Sequence, residues 1–335
     1  MPSYESIQFR GTPTGEIVQK TITYTELAPD EVIIKVTLSG LCFTDIHMAS
    51  QDIALGHEGV GIVQAAGPAC KTIKVGDRVG WGYPNKSCGS CELCLHGDDS
   101  YCADAEWYGR SNFDTGSLSS IAKRKEEWLF KIPDEIRDED AAPLMCGGAT
   151  VWSALIRNCK CYDRVGILGI GGLGHIAIQF LAKMGCDVVV FSSSPSKREE
   201  ALSLGASEFH CVKDVKNYGE LGVRPIDKMI ISSSAKAPFE EFYPVMKIRS
   251  AVIPLTVAFG DLVAPYVQTV WTGMSINGSS LSPRYDQQKM LDFAARNKIH
   301  VIAEKFPMTL EGVNAAFEKL KSGEMRYRGV ITWEN

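Results

Sequence analysis

Between Leu38 and Gly61 the chain reads LSGLCFTDIHMASQDIALGHEGVG, a run of polar, ligating side chains between apolar flanks. Cys42 and His57 are 57 − 42 = 15 positions apart. Together with Cys146 they make a two-sulfur, one-nitrogen donor set, which suits a zinc ion that keeps a fourth position open for chemistry. Glu58, next to His57, is placed either as a transient fourth ligand or as a neighbour of the ligands. Asp45 is a candidate acceptor for the second ring nitrogen of His57, which would fix its tautomer. A second cluster, KSCGSCELCLHGDDSYC, spaces Cys88, Cys91, Cys94 and Cys102 as C-x2-C-x2-C-x7-C. Four thiolates leave no open position, so this pattern predicts a structural zinc, with an iron–sulfur cluster or four free thiols as the alternatives. Glu92, Asp98 and Asp99 inside it disfavour a nucleic-acid zinc ribbon.

A third chemical feature is the run Gly169, Ile170, Gly171, Gly172, Leu173, Gly174, a G-x-G-x-x-G pattern. It follows the strand-like RVGIL and opens the helix-like HIAIQFLAKMG, the context in which a pyrophosphate meets a helix N-terminus. An acidic residue about 20 positions on would bind a ribose 2′-hydroxyl. That place holds Ser192, Ser193 and Ser194, then Lys197 and Arg198, and no carboxylate occurs from Val188 to Arg198. Hydroxyls and cations suit a 2′-phosphate, so the cofactor is expected to be NADP(H); a solvated helix start is the plainer account of Lys197 and Arg198.

The elements that must carry these groups are legible in outline. Short β-branched runs (EIVQKTITYTEL, EVIIKVTLSG, GVGIVQAAG, DRVGWG) predict a β-rich region up to about residue 80. DEDAAPLMCGGATVWSALIRN reads as helical, with acidic residues ahead of the apolar periodicity. From there strands alternate with helices: RVGIL, the glycine turn and its helix, CDVVVFSSS, SKREEALSLGA ending at Gly205, and IDKMIISSS. This alternation predicts an α/β class with a doubly wound parallel sheet. Two helices, QQKMLDFAARN and LEGVNAAFEKLKSG, and a strand, RGVITWE, close the chain. The 335 residues carry a formal net charge of −5, which argues against a nucleic-acid partner. No apolar run approaches a membrane span and the start lacks a secretory pattern, so a cytoplasmic protein without membrane partners is expected.

The ordered segments GLCFTDIH, GHEGVG, CGSCELC, LMCGGATVWSAL and GIGGLGHIAIQFLAKMG resemble the zinc-dependent medium-chain alcohol dehydrogenases. SSSPSKREEAL is similar to their NADP-dependent cinnamyl-alcohol-dehydrogenase branch. The resemblance implies a GroES-like catalytic domain over 1–147 and 279–335, a Rossmann domain over 148–278, and a homodimer. It implies two zinc ions per chain, the catalytic one on Cys42, His57 and Cys146 beside Glu58, the structural one on Cys88, Cys91, Cys94 and Cys102. It also implies a proton relay through Thr44 and His47, a place for Thr150 near the nicotinamide, and a 2′-phosphate pocket at Ser193, Ser194 and Lys197. The implied reaction interconverts a small aldehyde, aromatic or allylic, and a primary alcohol. Three stretches depart from the family pattern: the short Cys42–His57 connection, FDTGSLSSIAKRKEEW, and ISSSAKAPFEEFYPVMKIRSAVIPLTVAFGDLVAPY. They raise the alternative of a tailoring reductase acting on a C=C or C=N bond of a larger substrate behind a wider entrance. Trp81, Trp107 and Trp271 are candidate apolar walls or plain core.

Overall fold

The computed structural model describes residues 3–233, 238–257 and 260–333, which form two compact units: Met1–Ala149 with Leu281–Asn335, and Thr150–Ser280.

The first unit is built around strand Glu31–Leu41, whose alternating apolar residues face a core of Val32, Ile34, Val36, Val63, Val79 and Trp81. This strand pairs antiparallel with Gly59–Ala66 and with Arg328–Thr332, and its first half pairs with Ile121–Lys125. Ser39 lies opposite Gly59 and Leu41 opposite Gly329, so the ends of three strands converge where Cys42 and His57 begin and finish their connection. Arg78–Trp81 extends the sheet beyond Gly59–Ala66, and Ala303–Pro307 borders Arg328–Thr332 on the other side. Helix Leu310–Lys321, capped by Thr309 whose hydroxyl accepts from the Gly312 N–H at 3.1 Å, packs Val313, Ala316 and Phe317 against Leu41, Leu55 and Ile331.

A strand the sequence pattern does not reveal, Tyr4–Arg10, pairs antiparallel with Val18–Tyr24. One of its sides is polar: Ser6, Gln8 and Arg10 are buried and bonded to the Ile121 carbonyl, the Asp114 carbonyl, and Asp52 with Asp114, respectively. The other side places Phe9 in the core, and Ile7 and Phe9 alone are too short an apolar pattern to reveal the strand.

Gly59 lies flat on the indole of Trp81; a Cβ there would sit 2.1 Å from the ring. Gly59→Ala must displace a fully buried indole, and overpacking of this kind costs about 1–3 kcal/mol. We expect a melting temperature several degrees below wild type in a thermal scan of the zinc-loaded protein. An unchanged melting temperature would mean that Trp81 has room to move.

The second unit is a six-stranded, all-parallel sheet in the spatial order Glu208–Cys211, Asp187–Ser192, Arg164–Leu168, Ile226–Ile231, Met246–Pro254, Ser275–Ile276. In chain sequence that is 3-2-1-4-5-6, the doubly wound order whose switch point lies between strands one and four. Strand Arg164–Leu168 is buried throughout, as a parallel central strand must be. Helix Gly174–Met184 ends at Gly185 in the left-handed region, where the Cys186 N–H closes on the Leu181 carbonyl at 3.0 Å. The strands Glu208–Cys211, Met246–Pro254 and Ser275–Ile276 complete the sheet beyond the part read from sequence. Within the unusual stretch that starts at Ile231, residues 234–237 and 258–259 lie outside the described residues. Among the described residues no helix is long and apolar enough to cross a membrane.

Candidate metal centres and nucleotide turn

Cys42 is the last residue before helix Phe43–Met48 and serves as its N-cap: its sulfur accepts from the Thr44 N–H at 3.3 Å, while its own N–H donates to Asp45 Oδ2 at 3.0 Å. The stretch read as a loop thus contains a short helix, and the capping exchange fixes the sulfur. Beyond it, buried Ile53, Ala54 and Leu55 are laid against the first strand, with the Leu55 N–H donating to the Phe9 carbonyl at 2.9 Å. The chain then turns at Gly56, φ +92°, into His57 and Glu58.

Asp45 organises this connection from within. Its Oδ1 accepts from the Gly56 N–H at 3.1 Å and the Tyr108 hydroxyl at 3.0 Å, and lies 2.9 Å from His57 Nδ1. With the proton held on Nδ1, the lone pair of Nε2 is free, and Nε2 is 3.3 Å from Cys42 Sγ. Cys146 comes from a π-helical turn, Leu144–Gly148, which follows helix Asp138–Pro143 and is held by the Gln287 side chain donating to the Met145 carbonyl at 3.2 Å. One ligand atom each from Cys42, His57, Glu58 and Cys146 lies within 4.8 Å of the others.

Glu58 is fully buried beneath this set. Gly40 makes room for it, since a Cβ at Gly40 would meet Glu58 Oε2 at 2.1 Å. Its Oε1 pairs with the guanidinium of Arg328 and stands 4.0 Å from His57 Nε2; its Oε2 has no hydrogen-bond partner among the described residues. Burial pushes the Glu58 carboxyl up to about 7 against the pull of Arg328. The hydrogen bond from Cys146, aided by His57, holds the Cys42 thiol well below its ordinary value despite burial, and drives Cys146 well above its own. Two sulfurs and an oriented imidazole fit a tetrahedral zinc ion whose fourth position either the adjacent Glu58 carboxylate or a substrate oxygen would take.

Arg328 and Tyr108 are absent from the sequence reading. A charged residue opening the otherwise apolar strand Arg328–Thr332 was a signal for the first; nothing local marks Tyr108, whose role depends on distant pairing. Thr44 and His47 lie three residues apart on the short helix and so share a side, Thr44 half-buried and His47 exposed.

The Asp45 bond gives a direct prediction. Asp45→Asn preserves size but weakens the hold on Nδ1–H, and losing such a partner typically lowers metal affinity 10–100-fold. Competition against a chromophoric chelator should read that loss at one zinc per chain. An unchanged affinity would leave Asp45 as a helix cap only.

Cys88, Cys91, Cys94 and Cys102 likewise bring their sulfurs within 4.8 Å of one another. The C-x2-C turn directs the Cys91 N–H to Cys88 Sγ at 3.3 Å, and the Cys88 N–H reaches Cys102 Sγ at 3.4 Å. Backbone N–H groups of Ser90 and Cys91 draw the Cys88 thiol down to about 6. The lobe is tied to helix Arg284–Asn297 through Arg284, which pairs with Asp99 at 2.5 Å and Glu127 at 3.2 Å. Four sulfurs with no further ligand fit a closed zinc site.

In the second unit the glycine turn leaves the carboxyl end of strand Arg164–Leu168. Gly169 has φ +98°, and a Cβ at Gly174 would strike the Gly169 carbonyl at 2.2 Å, so both positions require glycine. Gly171 faces open space, with Gly172 and Leu173 completing the turn before helix Gly174–Met184. At the end of the neighbouring strand, Ser192 is buried and accepts from the Ser194 N–H at 3.2 Å, and Ser193 is exposed. Lys197 reaches across to the Ile170 carbonyl at 2.7 Å, which brings a cation to the glycine turn. Arg198 is directed elsewhere: it donates to the Phe209 carbonyl at 2.9 Å and lies over the Phe209 ring. The turn, the serines and Lys197 fit a phosphorylated dinucleotide. Thr150 sits in the first turn of helix Ala149–Asn158.

Of the three tryptophans, Trp81 is core, buried beneath Gly59. Trp107 is half-buried against Tyr83, whose ring meets that of His57 edge-on at 5.6 Å. Trp271 is exposed on helix Tyr266–Thr272.

Comparison with known proteins identifies the family. Residues 28–134 match the model of the alcohol dehydrogenase GroES-like domain, and residues 172–296 that of the zinc-binding dehydrogenases. The chain is 35% identical over 324 residues to an alcohol dehydrogenase of Geobacillus stearothermophilus, covering 93% of this chain and 94% of that protein. It is 30% identical over 333 residues to NADP-dependent alcohol dehydrogenase C 1 of Mycolicibacterium smegmatis, covering 95% of each. Among solved structures, a cinnamyl alcohol dehydrogenase from Sorghum bicolor superposes with a TM-score of 0.90 at 29% identity, covering 98% of both chains.

Proposed function

From the premise that the chain belongs to the zinc-binding, medium-chain alcohol dehydrogenase family, we propose that it interconverts an aromatic or allylic aldehyde and its primary alcohol with NADP(H). The observation that carries this reading is the gathering of Cys42, His57 and Cys146 within 4.8 Å, with Asp45 on the far nitrogen of the imidazole. In this reading residues 1–147 and 279–335 carry catalysis and 148–278 bind the cofactor. Cys42, His57 and Cys146 hold a catalytic zinc, with Glu58 beside them, and Cys88, Cys91, Cys94 and Cys102 hold a structural one. Gly169 to Gly174 receive the pyrophosphate, with Ser192, Ser193, Ser194 and Lys197 at the 2′-phosphate and Thr150 near the nicotinamide.

When bound, the zinc supplies a Lewis acid that polarises the carbonyl, and the nicotinamide supplies the hydride. The chain's own groups do the rest. Asp45 holds a proton on His57 Nδ1, so that Nε2 would face the zinc, and Arg328 holds Glu58 as an ion pair below the ligands. The Thr44 hydroxyl passes a proton to the substrate oxygen as negative charge builds on it. His47, exposed one turn further along, resupplies that proton from solvent.

The assembly proposed is a homodimer, which suits the exposed apolar side chains Tyr266, Val270 and Trp271 on helix Tyr266–Thr272. The short Cys42–His57 connection favours a second reading, conjugate or imine reduction of a larger substrate. Product analysis with cinnamaldehyde and NADPH separates the two. We expect cinnamyl alcohol alone; the saturated aldehyde as main product would overturn the carbonyl reading in favour of the second.

A further inference from the structure

Three thiols outside both metal centres lie near one another in the second unit: Cys159, Cys161 and Cys186. They stand at the starts of the first two strands of the parallel sheet, whereas the glycine turn leaves the opposite end of the first strand. Arg164 and Asp187 are partners in register, so the segments entering these strands run side by side. The entry to the first strand is a tight turn in which the Asp163 N–H donates to the Lys160 carbonyl at 2.9 Å. The entry to the second touches it at two places. The Asp187 N–H donates to the Asp163 carbonyl at 3.1 Å, and the Cys186 thiol to the Lys160 carbonyl at 3.3 Å. A Cβ built on Gly185 would stand only 3.5 Å from Cys161 Cβ. Cys161 is exposed and Cys186 half-buried; Cys159 is buried at the end of its helix.

We propose that Cys161 and Cys186 form a dithiol modification site that a low-molecular-weight disulfide oxidises to an intrachain disulfide joining the entries of the first two strands. The Cys161 thiolate attacks a sulfur of the oxidant RSSR, forming a mixed disulfide and releasing RS−. Cys186, having lost its proton to solvent, attacks the Cys161 sulfur and expels the second RS−. Two protein thiols are oxidised, one RSSR is reduced to two RSH, and the two protons come from the two cysteines. Cys161 attacks first because it is exposed; burial pushes the Cys186 thiol up to about 11, which slows its free reaction with oxidants and suits it to the second, intramolecular step. Cys159, pushed up to about 12 and buried, stays out of the exchange. Because the link lies away from the glycine turn, oxidation leaves nucleotide binding intact.

The sequence makes the test clean. Trypsin cuts after Arg157, Lys160, Arg164, Lys183 and Lys197, so the three thiols fall on three peptides, Asn158–Lys160, Cys161–Arg164 and Met184–Lys197. The zinc-loaded, full-length protein is incubated with oxidised glutathione, its remaining thiols are blocked, and it is digested without reduction. We expect the Cys161–Arg164 and Met184–Lys197 peptides joined, and in Cys186→Ser a glutathione mixed disulfide accumulating on Cys161. Recovery of Cys161 in the wild type only as a free thiol or a mixed disulfide, or joined to Cys159, would overturn the proposal.

Discussion

Cys42→Ser should lower kcat/KM for aldehyde reduction by about three orders of magnitude while leaving the fold in place. Zinc as a Lewis acid contributes several kcal/mol to a developing oxyanion, and each 1.36 kcal/mol is tenfold in rate. A serine hydroxyl is a hard, protonated substitute for a thiolate that the hydrogen bond from Cys146 already holds down. The helix cap survives in part, because the Asp45 acceptor for the residue-42 N–H does not depend on sulfur. Zinc content should fall from two to one per chain, with the far-ultraviolet dichroism unchanged. Cys94→Ser is the informative contrast. It should also cost one zinc, but from the lobe tied down by Arg284, and its first effect should be on melting temperature. If Cys42→Ser kept wild-type turnover with a single zinc, the catalytic assignment would be wrong.

The second large effect concerns the cofactor. Wild-type enzyme should favour NADPH over NADH by at least about 100-fold in kcat/KM, because hydrogen bonds to a charged phosphate contribute about 1.5–3 kcal/mol each. Lys197→Ala removes the cation now lodged at the Ile170 carbonyl and should reduce that preference about 10–100-fold, with little change for NADH. Ser193→Asp should go further, since a carboxylate at the strand end repels the 2′-phosphate and accepts from a 2′-hydroxyl instead. Arg198 is the control. Bonded to the Phe209 carbonyl, it should leave the preference nearly unchanged on substitution by alanine. A wild-type preference for NADH would refute the reading of the serine run.

What could be read from sequence divides by distance along the chain. The C-x2-C cluster and the glycine turn are local signals, in which spacing alone brings the sulfurs or the backbone N–H groups together; Cys146 joins Cys42 and His57 only through the fold. The three central strands of the parallel sheet are equally legible, because buried parallel strands such as Arg164–Leu168 announce themselves by unbroken apolar runs, whereas Glu208–Cys211, Met246–Pro254 and Ser275–Ile276 carry no such signal. Glu58 and Arg328 meet across 270 positions, and only the pairing of the last strand with Glu31–Leu41 brings them together. Tyr108 reaches Asp45 in the same way, over 63 positions. Strand Tyr4–Arg10 is hidden because one of its buried sides, Ser6, Gln8 and Arg10, is polar and the other offers only Ile7 and Phe9. Helix Phe43–Met48 was hidden because six residues are too few for an apolar period; its capping exchange between Cys42 and Asp45, not its periodicity, forms it. Trp81 reads equally as pocket wall or plain core for want of any local sign that Gly59 lies against it.

The most direct test of the account is steady-state reduction of cinnamaldehyde by the zinc-loaded protein, with NADPH and with NADH, before and after the metal is withdrawn. The account predicts NADPH-dependent formation of cinnamyl alcohol, weak activity with NADH, loss of turnover when the zinc on Cys42, His57 and Cys146 is removed, and recovery when zinc is returned. NADPH oxidation that persists undiminished in protein stripped of that zinc would contradict it.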